Sequence, residues 1–245
     1  MNLLQPTDSR SKNPGDPPET VAARVRVAQA GAESALLEAL TAWVGSCALA
    51  PGAAVLEVGC GTGELLAGLA AECDLNAFGS DLTVKSLRVA ARRSVPEPPR
   101  GVRWFATNSD RGLPFADASL ALVLTVKAPK PFAEFARVLQ PGGRALVATP
   151  APDDLAELRT LTAGASLPRD PALAAAAAAA EAGLALSESF TVRTRRVLPT
   201  ELCADLLATG YRGARRSEQG RLSGQFAGPV TLSTAVQIFE RASAR

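Results

Sequence analysis

A short glycine-rich segment holds the residue types with the clearest chemical meaning in this sequence. Gly59, Gly61 and Gly63 alternate directly after the apolar run AAVLEV, and an apolar helical pattern follows them. Glycines at alternate positions let the backbone turn sharply and approach a ligand closely, and the first amide groups of the helix then face that ligand. The order of strand, glycine loop and helix predicts a ligand-binding site.

The spacing of these glycines separates two classes of ligand. Dinucleotide-binding loops have the spacing GxGxxG and meet a pyrophosphate, whereas this loop is Gly59-Cys60-Gly61-Thr62-Gly63 with Glu57 at the end of the strand. S-adenosylmethionine has no phosphate but carries an ammonium, a carboxylate and a sulfonium. We therefore expect it to be the cofactor, with Glu57 near its methionyl end and Thr62 among the residues that bind it. The alternative is that Glu57 only accepts hydrogen bonds from backbone N–H groups.

A second carboxylate follows the next predicted strand, in the segment FGSDLTVKSLRVAARR. Asp81 at a strand end can accept both hydroxyls of a ribose, and Leu82 follows it at the same edge of the sheet. The competing role of Asp81 is to cap the helix that begins near Thr83. The two roles are compatible, and we expect ribose binding.

Polar residues also follow the third and fourth predicted strands. Asn108 and Ser109 stand where an adenine edge is expected, although a turn explains them equally simply. Thr125 and Lys127 follow the fourth strand and enter the cleft where an acceptor meets the cofactor. For an acceptor that loses a proton, Asp110 and Glu33 are the remaining candidate bases because the chain has no histidine, and neither is assigned, so the catalytic residue is unknown.

Alternating apolar runs and helical patterns predict an α/β fold of the Rossmann-like kind, a mainly parallel sheet with an antiparallel edge strand and helices on both faces. We divide the chain into a flexible arm over 1–18 and a single domain over 19–245. Within the domain, 19–46 forms capping helices, 52–150 binds the cofactor, and 151–245 forms the substrate side. The predicted strands are Ala54–Val58, Asn76–Ser80, Val102–Ala106, Ala121–Thr125, Arg144–Thr149, Leu186–Val192 and Val230–Phe239. After the capping region, the predicted helices are Gly63–Ala71, Thr83–Arg93, Pro131–Leu139 with a Pro141-Gly142-Gly143 turn behind it, Asp153–Leu161, Ala172–Ala182 and Thr200–Thr209.

The composition excludes several classes of function. No histidine and four scattered cysteines argue against a metal site, and no apolar stretch is long enough for a membrane helix, so we expect a soluble cytoplasmic protein. A formal net charge of +2 does not indicate a nucleic-acid binder. Two interpretations of the local arginine cluster stay open, contact with nucleic acid or a solvated face. Its members are Arg193, Arg195, Arg196, Arg212, Arg215, Arg216 and Arg221.

The motifs together resemble those of class I methyltransferases, and more narrowly of the bacterial large-subunit ribosomal RNA (guanine-N1-)-methyltransferases, which include the tylosin-resistance enzymes. The segments that carry the resemblance are VLEVGCGTG, GSDLTVKSLRVAARR, LPFADASLALVL, FARVLQPGGRALVATP, PAPDDLAELRTL and the N-terminal NLLQPTDSRSKNPGDPPETVAAR. The resemblance implies methyl transfer from S-adenosylmethionine to nitrogen 1 of a guanine in ribosomal RNA.

The sequence departs from this family in three places. The chain begins just after the position of the family's four-ligand zinc ribbon, as expected either from a start codon assigned too late or from a shortened relative. Gly31-Ala32-Glu33 replaces the family's Gly-His-Tyr over the cofactor, and a later histidine near the cofactor has no counterpart. The absence of these family histidine and tyrosine rings favours a relative that has diverged in function. The alternative functions are therefore a small-molecule methyltransferase and a cofactor-binding protein without turnover, so the acceptor is ribosomal RNA or a metabolite.

Overall fold

The computed structural model describes residues 1–5, 7–8, 15–93, 101–162, 170–210, 226 and 228–241. The strands are β1 Ala53–Val58, β2 Leu75–Asp81, β3 Arg103–Ala106, β4 Leu120–Val126, β5 Leu139–Pro150, β6 Leu184–Val197 and β7 Pro229–Arg241. The helices are α1 Pro18–Gln29, α2 Ser34–Ser46, α3 Glu64–Glu72, α4 Val84–Arg93, α5 Phe132–Val138, α6 Ala156–Thr162, α7 Pro171–Glu181 and α8 Thr200–Thr209.

The seven strands form one sheet in the order β3-β2-β1-β4-β5-β7-β6. The first five strands are parallel, and β7 enters antiparallel between β5 and β6. Chain order reverses between β1 and β4, so the carboxyl ends of these two strands open a crevice in which ligands of such sheets bind. The fold class expected from the sequence is confirmed, with the antiparallel strand one place in from the edge.

Helices cover both faces of the sheet and bury two apolar clusters. On one face α2 and α3 pack on β1, β4 and β5 through residues such as Leu40, Leu66 and Leu124, all fully buried. On the other face α5 and α7 pack through Phe135 and Ala179. A third cluster joins α1 and α8 above the carboxyl ends of the strands. Helices α1 and α8 therefore lie above the site, and the sheet lies below it.

The boundaries of helices α5 and α6 are among those that differ from the sequence expectation. Helix α5 ends at Val138 because Leu139 is fully buried and pairs with Leu120, so the Pro141-Gly142-Gly143 segment lies inside β5 at an irregularity of register. Helix α6 begins at Ala156 rather than Asp153. The preceding residues form a turn in which Leu155 has φ +53° and the Asp154 carboxylate accepts a hydrogen bond from the Ser233 amide.

The described part of the N-terminal segment packs against the domain, which differs from the unpacked arm expected over 1–18. The Leu3 amide donates to the Ala106 carbonyl and the Ala106 amide donates to the Met1 carbonyl, both at 2.8 Å, so this segment adds to the edge of β3. Asp8 is buried, and the Asp16 amide donates to the Thr83 hydroxyl. The contacts of this N-terminal segment come from backbone pairing and a few polar groups. Its proline-rich composition, on which the expectation of an arm was based, gives no sign of such contacts.

Across the described residues, no helix is both long and apolar enough to cross a membrane. In the same part of the chain, no three histidine, cysteine or acidic side chains are grouped so that they can hold a metal ion.

Candidate functional site

The glycine loop between β1 and α3 is held in a conformation that side chains disfavour. Gly59, Gly61 and Gly63 have φ of +72°, +54° and +82°. A Cβ atom on Gly59 would lie 2.3 Å from the Cβ of Ala128, in the segment that follows β4. The two loops therefore touch, and only glycine allows that contact.

Gly61 differs from its neighbours because the space beside it is open. The nearest atom to a Cβ placed there is Cδ of Arg24, at 3.9 Å. The Gly61 amide donates to Oδ2 of Asp81 at 2.9 Å, which fixes the centre of the loop. An open backbone surface between α1 and the loop is the shape that a bound cofactor needs.

Asp81 lies at the end of β2 and is partly exposed beside Leu82. Its Oδ1 accepts a hydrogen bond from the Thr83 amide at 2.7 Å, and Thr83 directly precedes α4, so Asp81 orders the turn that leads into this helix. Desolvation raises the pKa of Asp81, although the amides of Thr83 and Gly61 act in the opposite direction. Each carboxylate oxygen keeps a further lone pair, so a ribose hydroxyl can still donate to it.

Glu57 is buried, with 3% of its surface exposed, and its Oε2 has no hydrogen-bond partner in the described structure. Burial raises its pKa to about 8, and the charges of Glu64 and Asp81 add to the effect. A hydrogen bond from the Leu66 amide lowers it in part. Glu57 therefore has a backbone hydrogen bond, and its other oxygen is left for a ligand or water.

Thr62, Asn108 and Ser109 take different positions around the loop. The Thr62 side chain is buried and donates to the carboxylate of Glu64 at 2.7 Å, so it serves the start of α3. The Asn108 amide group donates to Oδ1 of Asp8 at 3.0 Å, while its own Oδ1 accepts from the Asp110 amide. Ser109 begins a short 3-10 helix. The turn role of Asn108 is therefore confirmed.

On the acceptor side, Glu33 and Lys127 come together and Thr125 does not join them. The ammonium of Lys127 lies 2.7 Å from Oε1 of Glu33, with 25% and 36% of the two side chains exposed. They line a small, open cleft with mostly apolar residues of α2, β6 and β7. Thr125 is buried and its hydroxyl donates to the Pro129 carbonyl at 3.1 Å, so it shapes the loop and does not line the cleft.

The charged groups in this cleft shift one another's pKa values. The Lys127 ammonium outweighs the effect of burial and lowers the pKa of Glu33. Burial alone would lower the pKa of Lys127, but Glu33 and Asp154 together raise it. Burial raises the pKa of Asp154 despite the neighbouring ammonium. The cleft therefore holds a charged Glu33–Lys127 pair beside a second carboxyl group.

Two residues at the site were missed from the sequence. Arg24 of α1 stands over the glycine loop, where Nε donates to Asp16 at 2.8 Å and Nη2 donates to the Thr209 carbonyl at 3.1 Å. Asp8 holds Asn108 and lies 2.9 Å from the guanidinium of Arg111. No local pattern marks either residue, because the contacts of Arg24 with Thr209 and of Asp8 with Asn108 and Arg111 join segments that are far apart in the chain.

The arginine cluster is described in part. On β6, Arg193 and Arg195 lie near the carboxylates of Asp153 and Glu157, at 2.7 Å and 3.9 Å. Arg196 donates to the Gly31 carbonyl. These three arginines thus have partners within the protein. The other members, Arg212, Arg215, Arg216 and Arg221, lie outside the described residues.

The residues present fit S-adenosylmethionine. The loop offers an open glycine backbone at Gly61, Asp81 offers a carboxylate at the ribose side, and Glu57 has an unpartnered buried oxygen. With the strand order β3-β2-β1-β4-β5-β7-β6, these features define a class I, S-adenosylmethionine-dependent methyltransferase domain. A family model described as "Methyltransferase domain" matches residues 55–143, which confirms the class expected from the motifs.

Known proteins resemble this chain to different extents. A 23S rRNA (guanine(748)-N(1))-methyltransferase of Streptomyces fradiae is 37% identical over 64% of the chain and 54% of its own length. An O-methyltransferase of Penicillium expansum is 33% identical over 40% of the chain and 38% of its own length. The chain thus spans about half, or less, of the curated relatives it matches. The first similarity confirms the resemblance drawn from the motifs.

The structure also resembles a geranyl diphosphate C-methyltransferase from Streptomyces coelicolor A3(2). The TM-score is 0.56 at 15% identity, over 84% of this chain and 76% of the other. At this identity the likeness concerns the fold, and it agrees with the parallel sheet and its antiparallel β7.

Proposed function

We propose that this chain transfers a methyl group from S-adenosylmethionine to nitrogen 1 of a guanine in large-subunit ribosomal RNA. The observation that carries the proposal is the 37% identity with the Streptomyces fradiae enzyme, which extends over 64% of the chain. The cradle formed by the glycine loop and Asp81 supports the cofactor half of the proposal.

In this proposal each part of the crevice holds one part of the cofactor. Gly59, Gly61 and Gly63 let the backbone approach it, Asp81 accepts the ribose hydroxyls, and Leu82 packs beside them. Asn108 and Ser109 lie at the adenine end. Glu57 and Thr62 lie at the methionyl end, where Arg24 offers a cation for a carboxylate. When bound, the cofactor supplies a methyl group already activated by its sulfonium.

The protein's own contribution is then mainly to orient the acceptor and to exclude water. The acceptor enters from the side of Glu33 and Lys127, below α1 and α2. Apolar residues that line the cleft, among them Leu36, Val192 and Leu232, cover part of the ion pair, and 25% and 36% of the Lys127 and Glu33 side chains stay exposed. Such an environment strengthens every charge interaction within it.

Asp81 provides the test of the cofactor site. The Asp81→Asn variant keeps an oxygen for the Thr83 amide but loses the charge, so we expect its affinity for S-adenosylhomocysteine to fall by about 10- to 100-fold, equivalent to about 1.4 to 2.7 kcal/mol. Titration calorimetry measures this change. Asp74→Asn is the matched control, because Asp74 is exposed just before β2 at the opposite end of that strand. Equal affinity of both variants would contradict the assignment.

The acceptor is tested with tritiated S-adenosylmethionine and 23S ribosomal RNA that lacks the modification. We expect label in the RNA and 1-methylguanine after digestion to nucleosides. Label found on a small metabolite and absent from RNA would reject the ribosomal acceptor. Failure of the wild-type chain to bind S-adenosylhomocysteine would reject methyl transfer altogether.

A small-molecule acceptor is the second candidate, and one observation favours it. The Glu33–Lys127 ion pair occupies the acceptor side of the cleft, where charged groups hold a small polar substrate as readily as a base. Similarity to the O-methyltransferase of Penicillium expansum points in the same direction. Incubation with a low-molecular-mass extract and the tritiated cofactor distinguishes the two acceptors. Cofactor binding with no labelled product in either pool would indicate a protein without turnover.

A further inference from the structure

The Glu33–Lys127 pair joins two segments that enclose the mouth of the crevice. Glu33 precedes the first residue of α2, and Lys127 follows the last residue of β4. Lys127 has φ +53°, a conformation that non-glycine residues rarely adopt, and its amide donates to the Ala148 carbonyl at 2.8 Å. Strained backbone of this kind is concentrated at functional sites. The backbone of Lys127 is thus strained at the position where its side chain reaches Glu33.

The pair is continuous with the proposed cofactor site. Ala128, the next residue after Lys127, is the residue that a side chain on Gly59 would strike. Arg24 acts electrostatically on Asp81, Glu33 and Lys127 alike. The backbone segment that carries Lys127 therefore touches the glycine loop.

Charged groups face the pair from several elements. Arg24 faces it from α1, and Asp154 faces it from the turn after β5. Arg196 of β6 donates to the carbonyls of Gly31 and Ala32, just before Glu33. Arg159 of α6 interacts electrostatically with Asp154 and is a further charged group near the pair. Lys127 consequently has a second carboxyl group close by when Glu33 is neutral.

We propose that Glu33 and Lys127 act as a proton-exchange pair for an acceptor whose reacting nitrogen or oxygen carries an acidic proton, such as the N1–H of guanine or a phenolic or enolic hydroxyl. This inference rests on the proposed function and names the chemical class that the cleft selects. It covers both candidate acceptors, because a lactam N–H and a phenol lose their proton in the same way.

The exchange leaves the charge of the cleft unchanged. The proton of the acceptor N–H or O–H passes to the Glu33 carboxylate, and the anion that remains on the acceptor pairs with the Lys127 ammonium. The electron pair freed on the acceptor forms the bond to the methyl carbon as the bond from that carbon to sulfur breaks, with its electrons left on sulfur. Glu33 afterwards releases its proton to water and pairs with Lys127 again.

The exchange also explains why a carboxylate with a lowered pKa can accept the proton. Lys127 holds the pKa of Glu33 down in the resting cleft. Once the ammonium pairs with the acceptor anion, Glu33 loses its counterion, and burial then favours its neutral form. Proton transfer and charge stabilisation are thus coupled through one ammonium.

A charge swap separates this role from a structural one. The double variant Glu33→Lys/Lys127→Glu keeps an ion pair at the same place but reverses the proton acceptor and the cation. We expect it to bind S-adenosylhomocysteine within about threefold of wild type, to keep a similar Tm, and to lose at least about 100-fold in kcat, the size usual for general acid–base groups. The matched control is the swap Arg144→Glu/Glu240→Arg, which reverses a pair joining β5 to β7 and should leave kcat unchanged.

Single variants give the second readout. In Lys127→Met the rise of kcat/KM with pH should move to higher pH by at least about one unit, because the acceptor anion loses its counterion. Glu33→Gln should lower kcat while calorimetric affinity for S-adenosylhomocysteine stays unchanged. Ribosomal RNA and a metabolite extract serve as acceptor pools, and mass spectrometry locates the methyl group in the product.

The outcomes separate the inference from the function on which it rests. Methyl on guanine N1 or on a phenolic or enolic oxygen, together with loss of turnover in the swap, supports the inference. A swap that retains turnover, or a product methylated on carbon, sulfur or an aliphatic amine, overturns it while the methyltransferase function stands. Wild-type protein without S-adenosylhomocysteine binding, or without product from either pool, overturns both.

Discussion

The two sides of the crevice use different physical means. On the cofactor side, positive-φ glycines and two strand-end carboxylates leave room for a ligand, so backbone shape is decisive. On the acceptor side, side chains from distant segments are decisive, as in the 2.7 Å pair of Glu33 and Lys127. Backbone shape is shared across a large class of proteins, whereas side-chain pairs vary. The first side therefore reveals the class, and the proposed acceptor side is where we expect specificity to be determined.

The largest effect is expected from Gly59→Ala. The new Cβ would lie 2.3 Å from Ala128 at φ +72°, so the loops after β1 and β4 must separate. Overpacking and backbone strain together should cost roughly 2 to 4 kcal/mol of the free energy of unfolding, measured by urea denaturation. Affinity for S-adenosylhomocysteine should fall with it.

Gly61→Ala is the control for this prediction. It has a similar φ, but its nearest neighbour would be 3.9 Å away, so only backbone strain of about 1 kcal/mol is expected. Equal destabilisation by the two substitutions would show that contact between the loops is not what shapes the cofactor side.

The next effect concerns Glu57 and pH. Its pKa is about 8 in the folded protein, above the usual value of 4.5, so between these pH values the folded state keeps a proton that the unfolded state has lost. Stability from this group is therefore present below pH 4.5 and is lost as pH rises to about 8. By linkage the loss between pH 5 and pH 7 amounts to about 2 kcal/mol.

Glu57→Gln removes this dependence because glutamine resembles the protonated acid at every pH. We expect the difference in unfolding free energy between variant and wild type to grow in favour of the variant from pH 5 to pH 8, measured by urea denaturation at each pH. Parallel profiles of the two proteins would contradict the buried, neutral state of Glu57.

The smallest effect is expected from Thr125→Val on the acceptor side. The substitution removes the hydrogen bond to the Pro129 carbonyl, so stability should fall by about 1 kcal/mol. Affinity for S-adenosylhomocysteine should stay within about twofold of wild type, because the hydroxyl does not line the cleft. A large loss of affinity would mean that the loop after β4 belongs to the cofactor side as well.

Much of the cofactor side could be predicted from the sequence because its signals are local. The strand, glycine loop and helix lie within about twenty consecutive residues, and the apolar runs mark the parallel strands. Helix α8 begins and ends where the pattern predicts, at Thr200 and Thr209. Strand β6 was predicted too short, since its edge position leaves most of its side chains exposed and hides the alternation.

The acceptor side could be predicted only in part. Glu33 and Lys127 were recognised as candidates, but a contact between residues 94 positions apart depends on how α2 and β4 pack, which no local pattern encodes. The contacts of Arg24 with Thr209 and of Asp8 with Asn108 were missed for the same reason. Thr125 was misjudged because a strand-end hydroxyl can turn inwards to a carbonyl as readily as outwards to a cleft.

Strand β6 forms an edge of the sheet, and in the described structure it pairs with β7 alone. A 14-residue edge strand is a template on which a second copy of the chain can add and start aggregation. Near its carboxyl end this strand carries Arg193, Arg195 and Arg196, and charged side chains on an edge strand disfavour pairing with another chain. The three arginines that make contacts within the protein thus also make β6 a poor template for self-association, whatever the acceptor is.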